Sequence, residues 1–385
     1  MRVRFLLVNR FYGSQQTPTG RMVRDVALEL RRQGHQVFIL ATRSSYSGTA
    51  GEAVADAGIE VQLVREWGGR MLRWGIFWCW ALRALASRRW DRCVLLTDPP
   101  FLPVAAWLTR IFRSPRQRVY WWTMDIYPEA LVAAGMISER GWLNRCLRQL
   151  NELGWPQMHG VIALGARQWQ RLQTYRHYRT EPGFARVVPP WDFRSLPRVE
   201  PGANRVLAQL RCGDKKVALY TGNLGEGHLF EPFVAAARRL QEQGRTDWQF
   251  VFAVRGAGRT RLLAAAAGLP NFEVRDYFPE RLTPDLLWAA TVHLVSMKPG
   301  WEGVIVPSKL YGALQTSAPV LFLGPEDADT ALAIQSAGRG RVCAPGADGE
   351  TVVQCLDSLA GQAWVPGSPP DHTGPGQVVE FVVAG

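Results

Sequence analysis

The sequence predicts an α/β protein made of two doubly wound, Rossmann-like domains that face a central cleft. Three observations lead there. Short apolar runs alternate with helical stripes from the amino terminus onward, the rhythm stops at a proline-rich break, and it then restarts. The 385 residues suit two domains better than one core. A composition of 47% hydrophobic and 20% charged residues is that of a globular chain, not a disordered one.

Each element has its own reason. Val3–Val8 is a short apolar run of the kind that forms a buried parallel strand. A polar loop follows, and Gly20–Arg32 then carries Val23, Val26, Ala27 and Leu30 at helical spacing. Gly34 stops that helix, and Gln36–Leu40 is the next strand, so a right-handed crossover and a parallel sheet are expected. Further strands are predicted at Glu60–Val64, Cys93–Thr97, Arg118–Trp122 and Gly160–Leu164, with helical patterns between most of them. Residues 188–205 hold four Pro and no period, which marks a linker. Strands are then predicted at Val217–Thr221, Phe250–Val254, Phe272–Val274, Val292–Ser296 and Pro319–Leu323. Helices are predicted at Phe230–Gln243, Gly258–Ala267 and near Pro284–Ala290. The expected domains are 1–190 and 206–365, joined by a linker at 191–205, with a poorly ordered Gly/Pro-rich tail at 366–385.

The net charge of +12 is unevenly spread. Residues 1–196 carry 28 Arg, no Lys and 14 acidic residues, whereas the remainder carries 13 Arg, 4 Lys and 19 acidic residues. The first half also holds 12 of the 16 Trp. No apolar stretch is long enough to span a bilayer, and the start does not read as a secretory signal. The six Cys are scattered without zinc spacing, so reduced thiols in a cytoplasmic protein and no metal are expected. No nucleic-acid recognition module is evident, so nucleic acid is not the expected partner of the basic half.

Several loops at expected strand ends carry chemistry. Gly20 stands where the first loop meets the first helix and leaves room for a phosphate or a sugar. Gly222, Asn223 and Gly225 form a turn after one strand, and Arg255, Gly256 and Gly258 repeat the arrangement one unit later. Ser308 and Lys309, followed by Tyr311, offer a hydroxyl, an ammonium and backbone N–H groups suited to a diphosphate. Asp125 in the first half and Glu302 in the second are loop carboxylates placed to face the cleft. Between Trp67 and Trp90, five Trp mix with Arg. Arg70, Arg73, Trp74, Trp78, Arg88 and Arg89 are the candidate contacts with an anionic membrane.

With these residues in view, the chain resembles glycosyltransferase family 4, of the GT-B fold, in the branch serving exopolysaccharide, capsule and O-antigen assembly. The resemblance covers about residues 1–345. It rests on Pro18–Arg21, on the ThrAspProPro block at 97–100 and on MetAspIleTyrPro at 124–128. In the second half it rests on TyrThrGlyAsnLeuGly at 220–225 with His228, and most specifically on ValProSerLysLeuTyr at 306–311 with Pro319-Val320. It implies a retaining, metal-independent transfer from a nucleotide diphosphate sugar, used as co-substrate without a further cofactor. The acceptor would be a glycan or a polyprenyl-diphosphate-linked glycan, met at the inner membrane face by a cytoplasmic, peripheral enzyme. The nucleotide base would lie near Asp276, Tyr277 and Phe278, and Asp125, Glu302 and Lys309 would be the catalytic group. One departure stands out: Val304 and Gly312 occupy the places where the family carries two Glu. The alternative is a non-catalytic, sugar-nucleotide-binding scaffold of a polysaccharide assembly complex.

Overall fold

The structure is a computed structural model that describes residues 2–13, 18–42, 56–177, 181, 183–191, 196–210, 212–362, 364 and 374–384. It divides into two compact units: Met1–Trp191 with Gly303–Val306 and His372–Gly385, and Asp192–Glu302 with Pro307–Asp371.

Unit 1 is built on a seven-stranded parallel sheet. In chain order its elements are β1 (Arg4–Val8), α1 (Pro18–Arg32), β2 (Gln36–Thr42), β3 (Ile59–Val64) and α2 (Arg70–Ala86). β4 (Arg92–Leu95), α3 (Leu102–Leu108), β5 (Arg118–Trp122), α4 (Glu129–Ala133) and α5 (Trp142–Gly154) follow. β6 (Gly160–Ala163), α6 (Ala166–Leu172) and β7 (Ala185–Val187) complete the run. The strand order is β3-β2-β1-β4-β5-β6-β7. The sheet reverses direction at β1/β4, which is where such folds open a crevice at the carboxyl ends of their strands. α2 and α3 bury Phe77, Ala81, Leu85, Leu102 and Ala105 against one face of the sheet. The strands are apolar on both sides because helices cover both faces.

Unit 2 repeats the design with a six-stranded parallel sheet in the order β10-β9-β8-β11-β12-β13. Its elements are α7 (Arg205–Leu210), β8 (Lys216–Asn223), α8 (Glu231–Glu242), β9 (Trp248–Arg255), α9 (Arg259–Ala265) and β10 (Phe272–Arg275). Then come α10 (Thr283–Trp288), β11 (Val292–Ser296), α11 (Lys309–Ala313), β12 (Val320–Leu323), α12 (Asp329–Ala337), β13 (Gly340–Cys343) and α13 (Gly349–Ala360). Stacked rings carry part of this core: Tyr220 lies on Phe252 with centroids 4.9 Å apart, and Phe252 on Phe272 at 4.8 Å.

The expected loose tail needs correction. Residues 366–373 lie outside the described residues, but α14 (Gly374–Ala384) is a helix of unit 1 packed on α1. Val378, Val379 and Val382 are fully buried, and Phe381 meets Tyr120 edge to face at 5.8 Å. A glycine-rich entry hid an apolar helix whose burial repays its ordering.

Candidate functional site

In unit 2 the two glycine turns are interlocked. The Leu224 N–H donates to the Arg255 carbonyl at 2.7 Å, and the Gly258 N–H donates to the Leu224 carbonyl at 2.9 Å. Gly256 has φ +109°, and a Cβ there would lie 2.2 Å from Asn223 Oδ1 and 2.8 Å from the Leu224 carbonyl oxygen. Only glycine fits that point. Gly222, at φ +100°, turns the chain beneath the Lys309 side chain, whose Cε would be 3.6 Å from an added Cβ.

Lys309, the first residue of α11, sends its Nζ to the Tyr220 hydroxyl at 2.9 Å and to the Asn223 carbonyl at 3.3 Å. The ammonium also stands 4.1 Å from the centre of the Tyr220 ring. Among the described residues no carboxylate pairs with this amine, and burial pushes its pKa down to about 7. Tyr220 is in turn 3.3 Å from Ser296 Oγ, at the end of β11. Ser296 donates to the Leu229 carbonyl at 2.6 Å and accepts from its N–H at 3.1 Å. His228 Nδ1 lies 3.0 Å from the Ser296 carbonyl, which can only accept, so Nδ1 carries the proton. Burial and the nearby Lys309 push His228 down to about 3, leaving it neutral. The result is a hydrogen-bonded cradle around one half-buried cation.

The other expected residues of this unit separate into groups. Arg255 donates to Asp276 and stacks 4.7 Å from the centre of the Tyr277 ring, and Asp276 also accepts the Tyr277 N–H at 2.6 Å. The Arg255 guanidinium holds the Asp276 carboxyl below its ordinary range. Phe278 packs half-buried on the small core beneath α10. Ser308 caps α11 without a side-chain bond. Tyr311 is buried, and burial with Asp329 nearby raises its phenol. Glu302 Oε1 accepts the Gly300 N–H at 3.0 Å, holding its own turn.

Unit 1 places its expected residues at strand ends. Gly20 is buried in the first turn of α1, and its carbonyl accepts the Gly13 N–H at 3.2 Å. Asp125 follows β5 and is solvent-exposed. The surrounding protein, and then Asp98, push its carboxyl up to about 6, although water at the exposed group screens part of that effect. Its loop is held rigidly from below. Buried Gln168 donates to the Met124 carbonyl at 2.6 Å and accepts from Thr123 Oγ1 at 2.8 Å and the Leu164 N–H at 2.7 Å. Asp98 follows β4 and receives Arg10 at 3.3 Å, while Arg10 forks onto Glu66 with two 3.0 Å bonds. Asp98 and Tyr220 lie inside motif blocks read from the sequence but were not named as site residues, and Gln168 and Ser296 carried no motif: the first sits on α6 beneath the Asp125 loop and the second ends the apolar strand β11.

Of the candidate membrane contacts, Arg70, Arg88 and Arg89 are exposed. Arg70 lies 5.5 Å from the centre of the Trp74 ring, and Arg73 donates to the Gly68 carbonyl at 2.8 Å. Trp74 and Trp78 are half-buried, and the Trp78 indole N–H donates to the Pro100 carbonyl at 3.2 Å. Among the described residues no helix is long and apolar enough to cross a membrane, and no group of three or more His, Cys, Asp or Glu is placed to hold a metal.

No family model matches the chain. Over 108 residues it is 35% identical to WcaI of Escherichia coli K12, whose name assigns it to glycosyl transfer in colanic acid biosynthesis; the match spans 26% of this chain and a quarter of that protein. Among solved structures it is similar to WaaG, a glycosyltransferase involved in lipopolysaccharide biosynthesis, with TM-score 0.71 and 18% identity over 99% of this chain and 100% of that one. HepE of Anabaena, solved with UDP-glucose, gives TM-score 0.65 and 13% identity over 100% of both chains. A UDP-N-acetylglucosamine 2-epimerase from Listeria monocytogenes gives 0.60 and 12% over 100% of this chain and 96% of that one. The fold is therefore GT-B, with two parallel Rossmann-like sheets.

Proposed function

We propose that the chain is a glycosyltransferase of surface polysaccharide biosynthesis. It moves a sugar from a nucleotide diphosphate sugar to a lipid-linked glycan, with retention and without a metal, as a peripheral protein on the cytoplasmic membrane face. The observation that carries this reading is Lys309, a half-buried ammonium whose hydrogen-bond partners are neutral. Keeping such a cation unpaired is costly, and an anionic ligand removes the cost. The likeness to WcaI supports the polysaccharide branch.

The chemistry follows from the cradle. Lys309, with Ser308 and the turns at 222–225 and 256–258, stabilises the diphosphate as the bond from the sugar's anomeric carbon to its oxygen breaks. The acceptor hydroxyl forms the new bond on the same face, and its proton passes to a phosphate oxygen of the departing diphosphate. Arg255, Asp276, Tyr277 and Phe278 receive the nucleoside, and Glu302 holds the donor sugar. Asp125 in unit 1 binds an acceptor hydroxyl. The places of the two family Glu are held by Val304 and Gly312, both buried, which favours a second reading as a sugar-nucleotide-binding scaffold.

A thermal-shift series with UDP, GDP, ADP and CMP tests the binding claim, since a ligand bound only by the native state raises the melting temperature. One nucleoside diphosphate should stabilise the wild-type protein and not Lys309→Ala. No shift with any of them would defeat the reading.

A further inference from the structure

α5 is built inside out. Its buried positions are Asn144, Asn151 and Gly154, Leu147 is half-buried, and Trp142, Leu143, Cys146, Leu150 and Leu153 are exposed. Those five recur at helical spacing and form one apolar stripe. The inward face is held by polar bonds instead. Asn151 donates to the Tyr127 carbonyl, Asn144 donates to the Glu139 carbonyl at 2.6 Å, and Arg148 bonds Glu129 at 2.5 Å.

Neighbouring elements add further exposed apolar residues. α3 packs against both α2 and α5. α2 exposes Met71, Leu72, Cys79 and Trp80, and the turn after α3 exposes Ile111 and Phe112. Twelve of the fifteen exposed large apolar side chains among the described residues lie between Trp67 and Leu153. Exposed apolar side chains gathered in one part of a chain mark an interaction site.

Charge identifies the partner. Residues 65–153 carry 14 Arg, no Lys and seven carboxylates. Four of those carboxylates, Glu66, Asp91, Asp98 and Glu129, are already bonded to Arg10, Arg4 or Arg148. A second copy of this surface would bring like charges together. An anionic bilayer supplies both the acyl boundary that the stripe needs and the phosphates that the Arg need. We propose that the outer stripe of α5, continued by Ile111, Phe112 and the outer face of α2, seats unit 1 in the interface of an anionic membrane. This rests on the membrane location given above and sharpens it, because the lipid-facing residues differ from Trp74 and Trp78.

The wild-type protein carries its own reporters. Cys79 and Cys146 are exposed and lie on the two stripes, whereas the other four cysteines are buried. Labelling with a charged, membrane-impermeant maleimide, read by peptide mass spectrometry, should slow at least about tenfold at Cys146 on phosphatidylglycerol vesicles and stay unchanged on phosphatidylcholine, because burial in the interface excludes the reagent. Trp142→Gln with Leu150→Gln should weaken vesicle binding by about a hundredfold, at roughly tenfold per buried side chain. The same variant should keep its thermal shift with nucleoside diphosphates, which separates this surface from the donor site. Cys146 labelled at full rate on vesicles that do bind the protein would overturn the assignment of α5 while sparing membrane association. No binding to phosphatidylglycerol would overturn both. Cys146 protected without vesicles, in a protein that sediments as a dimer, would give the face to a second copy.

Discussion

Replacing Lys309 by Met should make the protein more stable and unable to hold a nucleoside diphosphate well. The half-buried amine has a phenol and a carbonyl as hydrogen-bond partners, and the surrounding protein pushes its pKa from 10.5 down to about 7. Because the folded pKa lies below the unfolded one, protonation favours the unfolded chain. The penalty is complete below pH 7, shrinks as the pH rises from 7 towards 10.5, and vanishes above. At pH 7 its ceiling is on the order of 4 kcal/mol, and after relaxation and partial hydration about 1–2 kcal/mol should be recovered by Met. Met keeps the apolar stem against Tyr220 and removes the charge. Melting should rise by about 2–4 °C for each kcal/mol at pH 7 and by less at pH 9. The lost charge-assisted contact should weaken diphosphate binding by roughly ten- to a hundredfold. Wild-type affinity should also decline as the pH rises through 7, with the variant's decline much shallower. Scanning fluorimetry at pH 6, 7 and 9, with and without the diphosphate, reads all of these. A variant less stable than wild type at pH 7, with unchanged affinity, would refute the reasoning.

Two further perturbations probe the scaffolds around the candidate residues. Gly256→Ala places a methyl 2.2 Å from Asn223 Oδ1 at φ +109°, so the interlocked turns must separate. A loss of about 1–3 kcal/mol in stability and a larger relative loss of diphosphate affinity are expected, and denaturant melts with calorimetric titration would register both. Gln168→Leu strands the buried Leu164 N–H and Met124 carbonyl, at a cost of about 1–3 kcal/mol for each group. It should lower unit 1's stability and loosen the Asp125 loop while leaving diphosphate binding intact; a melt identical to wild type would count against that support.

The sequence made the architecture legible because buried parallel strands are written as continuous apolar runs. Val292–Ser296 was predicted to the residue, and Gln36–Leu40 fell two short of the observed end. β7 escaped notice because three part-exposed edge residues carry no pattern. α14 escaped because Gly374, Pro375 and Gly376 read as loop, while its apolar face answers to α1, far away in the chain. The glycine turns and Lys309 could be read as separate candidates. Their meeting at Tyr220 could not, since it depends on the register of β8 against β11. α2 and α5 teach a different lesson. Periodicity identifies an apolar face but not what that face meets, so Trp78 turned inward and Trp142 outward.

The central claim is sugar transfer governed by Lys309. The direct measurement incubates the protein with phosphatidylglycerol-containing membranes from a polysaccharide-producing bacterium and radiolabelled nucleotide sugars, then follows label into the lipid extract. Wild-type protein should move label from one donor into lipid, and Lys309→Ala should lose nearly all of that transfer while remaining folded. A donor left intact, or one converted only into an epimeric sugar nucleotide with no label in lipid, would contradict the account.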